Sequence, residues 1–281
     1  MYSFLVVLLY AGPTGCTTAQ SPGALRHYDP SGPPSYRVAL PADLAEISGL
    51  AYTPDGRLLA HGDEQAVVYQ IDLASGRPVK RFGIGGPGGP LLGDFEDIQV
   101  VGDRIFLVTS KGEIVEAREG GDGETMPALR RGRGLGGACE VEGMTWDEGS
   151  KSLLLLCKHA NGKQWKGQVV IVAVSPETGE FEPKPRLVIP VAALRRVTGA
   201  TSFSGSAITR HPLSGTYLML AGPQRLYAEI DSTGKVLGGG KLSARRHRQP
   251  EGIAIAPDLT LLISDEAAGR TATITGYAYR R

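Results

Sequence analysis

Three glutamates recur in one frame: an acid, a small or acidic residue, then a short apolar run. They are Glu96-Asp97-Ile98, Glu142-Gly143-Met144 and Glu251-Gly252-Ile253, and serines occupy the same frame in Ser48-Gly49-Leu50 and Ser206-Ala207-Ile208. A further apolar run later, the chain returns to polar or small residues at Asp63-Glu64, Ser110-Lys111, Lys158-His159, Gly222 and Asp265-Glu266. If both sets gather at one place, oxygen donors dominate it. Crowded carboxylates must either hold a cation among them or rise in pKa. Hard oxygen ligands without sulfur or a histidine pair favour Ca²⁺ over Zn²⁺. Glu96, Glu142 and Glu251 are the first candidate metal ligands, with Asp63 and Asp265 next. Ser48 and Ser206 are candidate ligand-binding groups. Lys158 is a cation where other units carry acids, and it either neutralises the ring or contacts a ligand. A purely structural role stays open, because a polar residue entering a strand can satisfy backbone amides or channel waters.

The elements that would gather these residues are repeated. The five frame positions are separated by 48, 46, 64 and 45 residues, and periods of this size with several strands each mark the blades of a β-propeller. In the first unit the expected strands are Gly49–Tyr52, Leu58–His61, Ala66–Leu73 and Val79–Ile84. In the fourth they are Ala207–Arg210, Tyr217–Ala221, Arg225–Ile230 and Val236–Leu242. Glycine at 39 and proline at 19 of 281 residues suit short strands and tight turns. Val191–Val197 offers at most a turn or two of helix. The last unit supplies only three strands, Ile253–Ala256, Leu261–Ser264 and Thr271–Tyr279, while Tyr36–Leu40 is a strand without a unit. The N-terminal strand is therefore expected to complete the last blade and to remove an open sheet edge. The expected fold is all-β, one propeller domain over residues 35–281 with five four-stranded blades. A sixth blade hidden in the longest interval is the alternative.

In such a blade the innermost strand starts, and the next strand ends, at one mouth of the central channel. Loops leading to that face carry Arg130-Arg131-Gly132-Arg133, Arg195-Arg196 and Arg245-Arg246-His247-Arg248. Arg245, Arg246 and Arg248 are candidate ligand-binding residues, since clustered guanidinium groups suit phosphate or carboxylate; solvated surface charge is the plainer explanation. His61 and His159 fall near strand ends where a base could act. Phe203-Ser204-Gly205-Ser206-Ala207 has the wrong spacing for a nucleophile elbow.

The formal net charge of +1 gives no bulk attraction to nucleic acid, and a monomer is expected. Residues 1–16 resemble a secretory leader ending in a bacterial lipobox with Cys16 as the lipidated residue. Two features depart from that pattern: no Lys or Arg precedes the apolar run, and Pro13 stands where an aliphatic residue is usual. Ordinary cleavage is the alternative. Residues 17–34 read as a flexible tether. Two cysteines remain, and folding their strands about Asp147–Lys151 sets Cys139 nearly opposite Cys157, within reach of a disulfide in an exported protein. Two buried free thiols are the alternative.

The motifs Ile47-Ser48-Gly49-Leu50-Ala51, Phe95-Glu96-Asp97-Ile98, Glu140-Val141-Glu142-Gly143-Met144 and Pro250-Glu251-Gly252-Ile253-Ala254, with Ser264-Asp265-Glu266, resemble those of the SdiA-regulated (YjiK-like) β-propeller family over residues 43–280. The resemblance implies a bacterial envelope protein with a membrane-tethered propeller, calcium-associated, with Glu96, Glu142 and Glu251 matching the family's acidic inner-strand residues. Ser48 and Ser206 depart from a complete acidic ring. Gluconolactonase-type propellers build their metal site with asparagines, and this chain has one, Asn161. Three readings follow. The first is an envelope-anchored binding module that holds Ca²⁺ at one channel mouth and engages an anionic small molecule or envelope partner through its arginines, on the periplasmic side. The second is a metal-dependent hydrolase of phosphoesters or other esters, as in phytase-like or esterase-like propellers. The third is a structural scaffold.

Overall fold

The apolar runs are short and rich in leucine, valine and isoleucine, a composition that suits strands covered on both faces. In the computed structural model, which describes residues 23–281, they form five sheets arranged as a five-bladed propeller. From the axis outward, blade 1 is Ile47–Tyr52, Leu58–Gly62, Val67–Asp72 and Arg77–Gly86. Blade 2 is Phe95–Val101, Arg104–Thr109, Ile114–Arg118 and the short Arg130–Arg131. Blade 3 is Cys139–Asp147, Ser152–Ala160, Gln168–Val174 and Leu187–Pro190. Blade 4 is Ala207–Arg210, Tyr217–Ala221, Leu226–Ile230 and Val236–Lys241. Blade 5 takes Pro250–Ile255, Leu261–Asp265 and Thr273–Tyr277 from the C-terminal end, and Tyr36–Ala39 from the other end as its outermost strand.

That outermost strand pairs antiparallel with the last one, Tyr36 opposite Gly276 and Ala39 opposite Thr273, so the ring closes as the sequence predicts. Among the described residues no sixth blade forms. The longest interval is spent on the nine-residue strands of the blade 3 hairpin and on a helix, Val191–Thr198, that ends at Gly199 in the left-handed region. Blade 1 is wider than expected, because Thr125–Pro127 adds to Gly83–Gly85 as a parallel strand.

The core is not central. It consists of five apolar wedges, one between each pair of neighbouring blades, such as Leu156, Ile171 and Ile189 against Met219 and Ala228. Each inner strand touches the inner strands on either side of it. Polar side chains add stitches between blades. Asp97 accepts hydrogen bonds from the amides of Ile98 (2.8 Å) and Met144 (2.6 Å), and Thr145 Oγ1 accepts one from Arg210 N (3.0 Å). Cys139 and Cys157 form a disulfide between the first two strands of blade 3, with Cα atoms 5.6 Å apart.

The stretch read as a tether needs a correction over its described part. Ala24–His27 forms a 3₁₀ turn whose Ala24, together with Tyr28, is buried in the wedge between blades 4 and 5. Glu229 accepts hydrogen bonds from the amides of Ala24 (2.5 Å) and Leu25 (2.9 Å), and the Tyr28 hydroxyl donates to Leu259 O (2.7 Å). Small size and low hydrophobicity hid this packing, since the groove needs only two apolar side chains. The leader, Cys16 and the start of the tether lie outside the described residues.

Candidate functional site

Four of the five inner strands enter their sheets through an irregularity. The pairing register slips between Ile47 and Gly49, Phe95 and Asp97, Val141 and Gly143, and Pro250 and Gly252. In blade 4, Ser206 N donates to Leu220 O (2.9 Å) while Ala207 is the residue paired with Leu220. The extra residue at the four slips is Ser48, Glu96, Glu142 or Glu251, and Ser206 stands just before the inner strand of blade 4. A bulge re-aims the side chain of its extra residue, and all five line one cavity of about 160 Å³ at the channel mouth. Asp63, Lys158 and Glu266 join them from the ends of the second strands, and Asp94 and Gln249 from the loops before blades 2 and 5.

Asp94 and Gln249 were missed in the sequence although a signal existed. Both stand two residues before a ring position, and the positions two before the others are Glu46, Glu140 and Ser204, all polar. In extended chain, residues two apart share a face.

The mouth is short of positive charge. Lys158 Nζ donates to Glu142 Oε1 (2.7 Å) and lies 3.6 Å from Glu140 Oε1. Burial works to lower the Lys158 ammonium, but the Glu142 hydrogen bond and the charges of Glu142, Glu140 and Glu251 outweigh it and raise its pKa. Among the described residues the other acids of the mouth form no ion pair, although the Lys158 charge works to lower Glu96, Glu251 and Glu266. Burial, then the charges of Glu142 and Asp94, push Glu96 up to about 9. Burial, then Glu142 and Glu266, push Glu251 up to about 8. Burial and the charges of Asp63, Glu46 and Glu142 put Glu266 at about 7. Gln249 Nε2 donates to Glu266 Oε2 and bridges towards Glu251. The serines differ from one another. Ser206 Oγ donates to Pro250 O (2.9 Å) and accepts from Gly222 N (3.0 Å), which makes it a stitch between blades 4 and 5 before it is anything else. Ser48 Oγ donates to Glu46 O at 3.3 Å.

Three sets of candidate residues stand elsewhere. Asp265 turns away from the mouth, and its Oδ2 lies 2.7 Å from His247 Nδ1 in a buried network completed by Tyr277 (His247 Nε2 to Tyr277 Oη, 2.6 Å). Glu266, the next residue along, takes the place expected of it. Arg245, Arg246 and Arg248 do not line the mouth either; they line a neighbouring cleft that shares Glu266 as a wall. His61 is buried with Nδ1 against Gly62 O (2.8 Å), and burial lowers its pKa to about 4, so it is a neutral core group.

As a metal site the donors are of the right kind for a hard cation, being oxygen throughout. Among the described residues, however, no group of three or more His, Cys, Asp or Glu side chains is placed to hold a metal ion.

No family model and no curated protein matches the chain. Among solved structures it is similar to glutaminyl cyclase from Myxococcus xanthus, at 15% identity and a TM-score of 0.60 over 88% of this chain and 96% of that one. It is also similar to the PQQ-bound aldose sugar dehydrogenase from Streptomyces coelicolor, at 14% identity and 0.54 over 88% and 97%. A luciferin-regenerating enzyme follows at 10% identity and 0.52 over 86% and 95%. At such identities the likeness is one of fold.

Proposed function

We propose that the protein is a binding propeller whose acidic channel mouth receives a cationic group, with Ca²⁺ as the ion its oxygen donors would select. The observation that carries this is the ring itself: four bulged inner strands, and Ser206 just before the fifth, bring their residues to one small cavity, and three of its glutamates stay raised in pKa although the Lys158 charge works to lower them. Glu96, Glu251 and Glu266 are not placed as a metal-binding group as they stand and would have to draw together to hold the cation, with Asp63 and Asp94 beside them. Lys158 is already engaged with Glu142 and limits the charge the mouth can accept. Bound calcium would supply a fixed double positive charge in place of the protons these acids carry. The motif resemblance to SdiA-regulated propellers supports placing this module in the cell envelope.

Calorimetric titration with CaCl₂ tests the reading, alongside a small primary amine as the competing cation. Because Glu96 and Glu251 keep their protons at neutral pH, binding must release protons, and affinity should rise as pH goes from 6 towards 9. Glu251→Gln should weaken binding by about tenfold or more. Absence of heat, of proton release and of thermal stabilisation with either cation would sink it. A hydrolase of phosphoesters or other esters is the second reading, favoured by Glu251 and Glu266 titrating near neutrality, where a group can both hold and give up a proton. Turnover of a model phosphoester that Glu251→Gln abolishes would be its sign.

A further inference from the structure

Beside the mouth lies a second cavity of about 220 Å³ whose charge has the opposite sign. Five arginines line it: Arg37 from the N-terminal strand, Arg245, Arg246 and Arg248 from the loop before blade 5, and Arg270 from the loop before Thr273. Among the described residues none of the five forms an ion pair with a carboxylate. Elsewhere the arginines of the blades commonly have one, as Arg57 has Glu119 and Arg104 has Glu116. Two carboxylates do line the cleft, Asp265 and Glu266. Asp265 is engaged by His247 and Glu266 by Gln249, so neither is committed to a guanidinium.

The loop is held in place. His247 is fully buried and fixed through both ring nitrogens by Asp265 and Tyr277, and its amide and that of Arg246 donate to Ser243 O (2.8 and 3.0 Å). Arg246 and Arg248 flank this anchor and are therefore positioned by it. Arg246 Nη2 donates to Ser31 O (2.6 Å), while its buried Nε has no partner. Arg37 Nη2 donates to Arg246 O (3.1 Å), which ties the N-terminal strand to the same wall. A guanidinium group cannot shed its proton to relieve crowding, so charge gathered this way is met only by an anion. The planar fork of arginine matches tetrahedral oxyanions two oxygens at a time.

We infer that this cleft binds a phosphate group, carried either by a small soluble molecule or by a lipid headgroup. The site adjoins the cation-binding mouth, sharing Glu266 as a wall, and needs no cation there to take up phosphate. Titration of the protein with inorganic phosphate at low salt, in the presence of a chelator, should show one saturable site. Arg245→Ala/Arg248→Ala removes two exposed guanidinium groups without touching the buried anchor, and should weaken phosphate binding by about tenfold or more while the melting temperature stays unchanged. Arg246→Lys keeps the charge and loses the fork, and should also weaken it. Glu251→Gln should leave phosphate affinity intact, so that failure of this site and failure of the mouth are told apart. Flotation with phosphatidylglycerol vesicles, against phosphatidylcholine vesicles, separates the two sources. Binding that free phosphate competes away assigns the headgroup, and no binding assigns a soluble phosphate compound. No phosphate uptake by the parent protein, equal affinity in the double variant, or vesicle binding that the double variant retains would each overturn the inference.

Discussion

Glu251 shows how position alone changes a carboxyl group. In an unfolded chain it would ionise in the ordinary range near 4.5, but in the ring burial and the neighbouring Glu142 and Glu266 move it to about 8. Between those two values the folded state holds a proton that the unfolded state has lost, so stability falls as pH rises through this window. Glu96 acts in the same sense up to about 9. Glu251→Gln, which cannot ionise, should therefore match the parent near pH 4 and exceed it at pH 8–9 by about 1–2 kcal/mol after allowance for solvent screening. Thermal melts across pH 5–9 in chelator check this; a parent protein that grows more stable with rising pH would contradict it. The same scale marks a limit of the sequence. Asp265 and Glu266 are adjacent acids, and nothing in the chain says which of them faces the channel. The structure gives Asp265 to His247 and Glu266 to the mouth.

At the scale of elements, two features of one kind matter: where a strand begins and what it pairs with. The alternation and length of the apolar runs made the strands legible, and a last unit with three strands beside an unassigned Tyr36–Leu40 made the closure legible. The bulges were not. A bulge changes the register by one residue without changing residue types, and that single step decides which face a side chain occupies. The closing strand gives the element-scale prediction. A chain begun after Leu40 would leave the backbone of Thr273–Tyr277 unpaired on one side and uncover Tyr28's wedge. It should aggregate or melt at least about 10 °C lower than a chain begun at residue 23, since an unpaired edge is a template for intermolecular pairing. Light scattering and thermal melts of the two chains decide it, and equal behaviour would show that closure contributes little.

For the whole molecule, the acidic mouth and the arginine cleft open side by side with Glu266 between them. Acidic turns on the far face are matched by basic partners. Glu119, on a far-face turn, is matched by Arg57 and Lys80, and Glu177 by Arg104. The mouth gathers carboxylates and the cleft beside it gathers arginines. No helix among the described residues is long and apolar enough to cross a membrane. We propose that the envelope anchor is a lipid on Cys16, which lies outside the described residues. Labelled palmitate incorporated by the parent and lost in Cys16→Ser is the expected result, and a parent that takes up no label would remove the anchor from the proposal.

What the sequence determined by itself is what local pattern can carry: a repeat of short apolar runs, five blades, closure by the N-terminal strand, and polar residues at the start of each inner strand. These follow from strand periodicity and from spacing, which every residue samples in its own neighbourhood. What the tertiary structure decided are relations between residues far apart in the chain. The bulges aim Glu96, Glu142 and Glu251 at one point, burial and mutual repulsion keep protons on two of them at neutral pH, and the anchored His247 holds Arg246 and Arg248 beside the mouth instead of in it. Each depends on a one-residue choice of facing or on charge summed over several blades, and neither quantity is written in any one stretch of sequence.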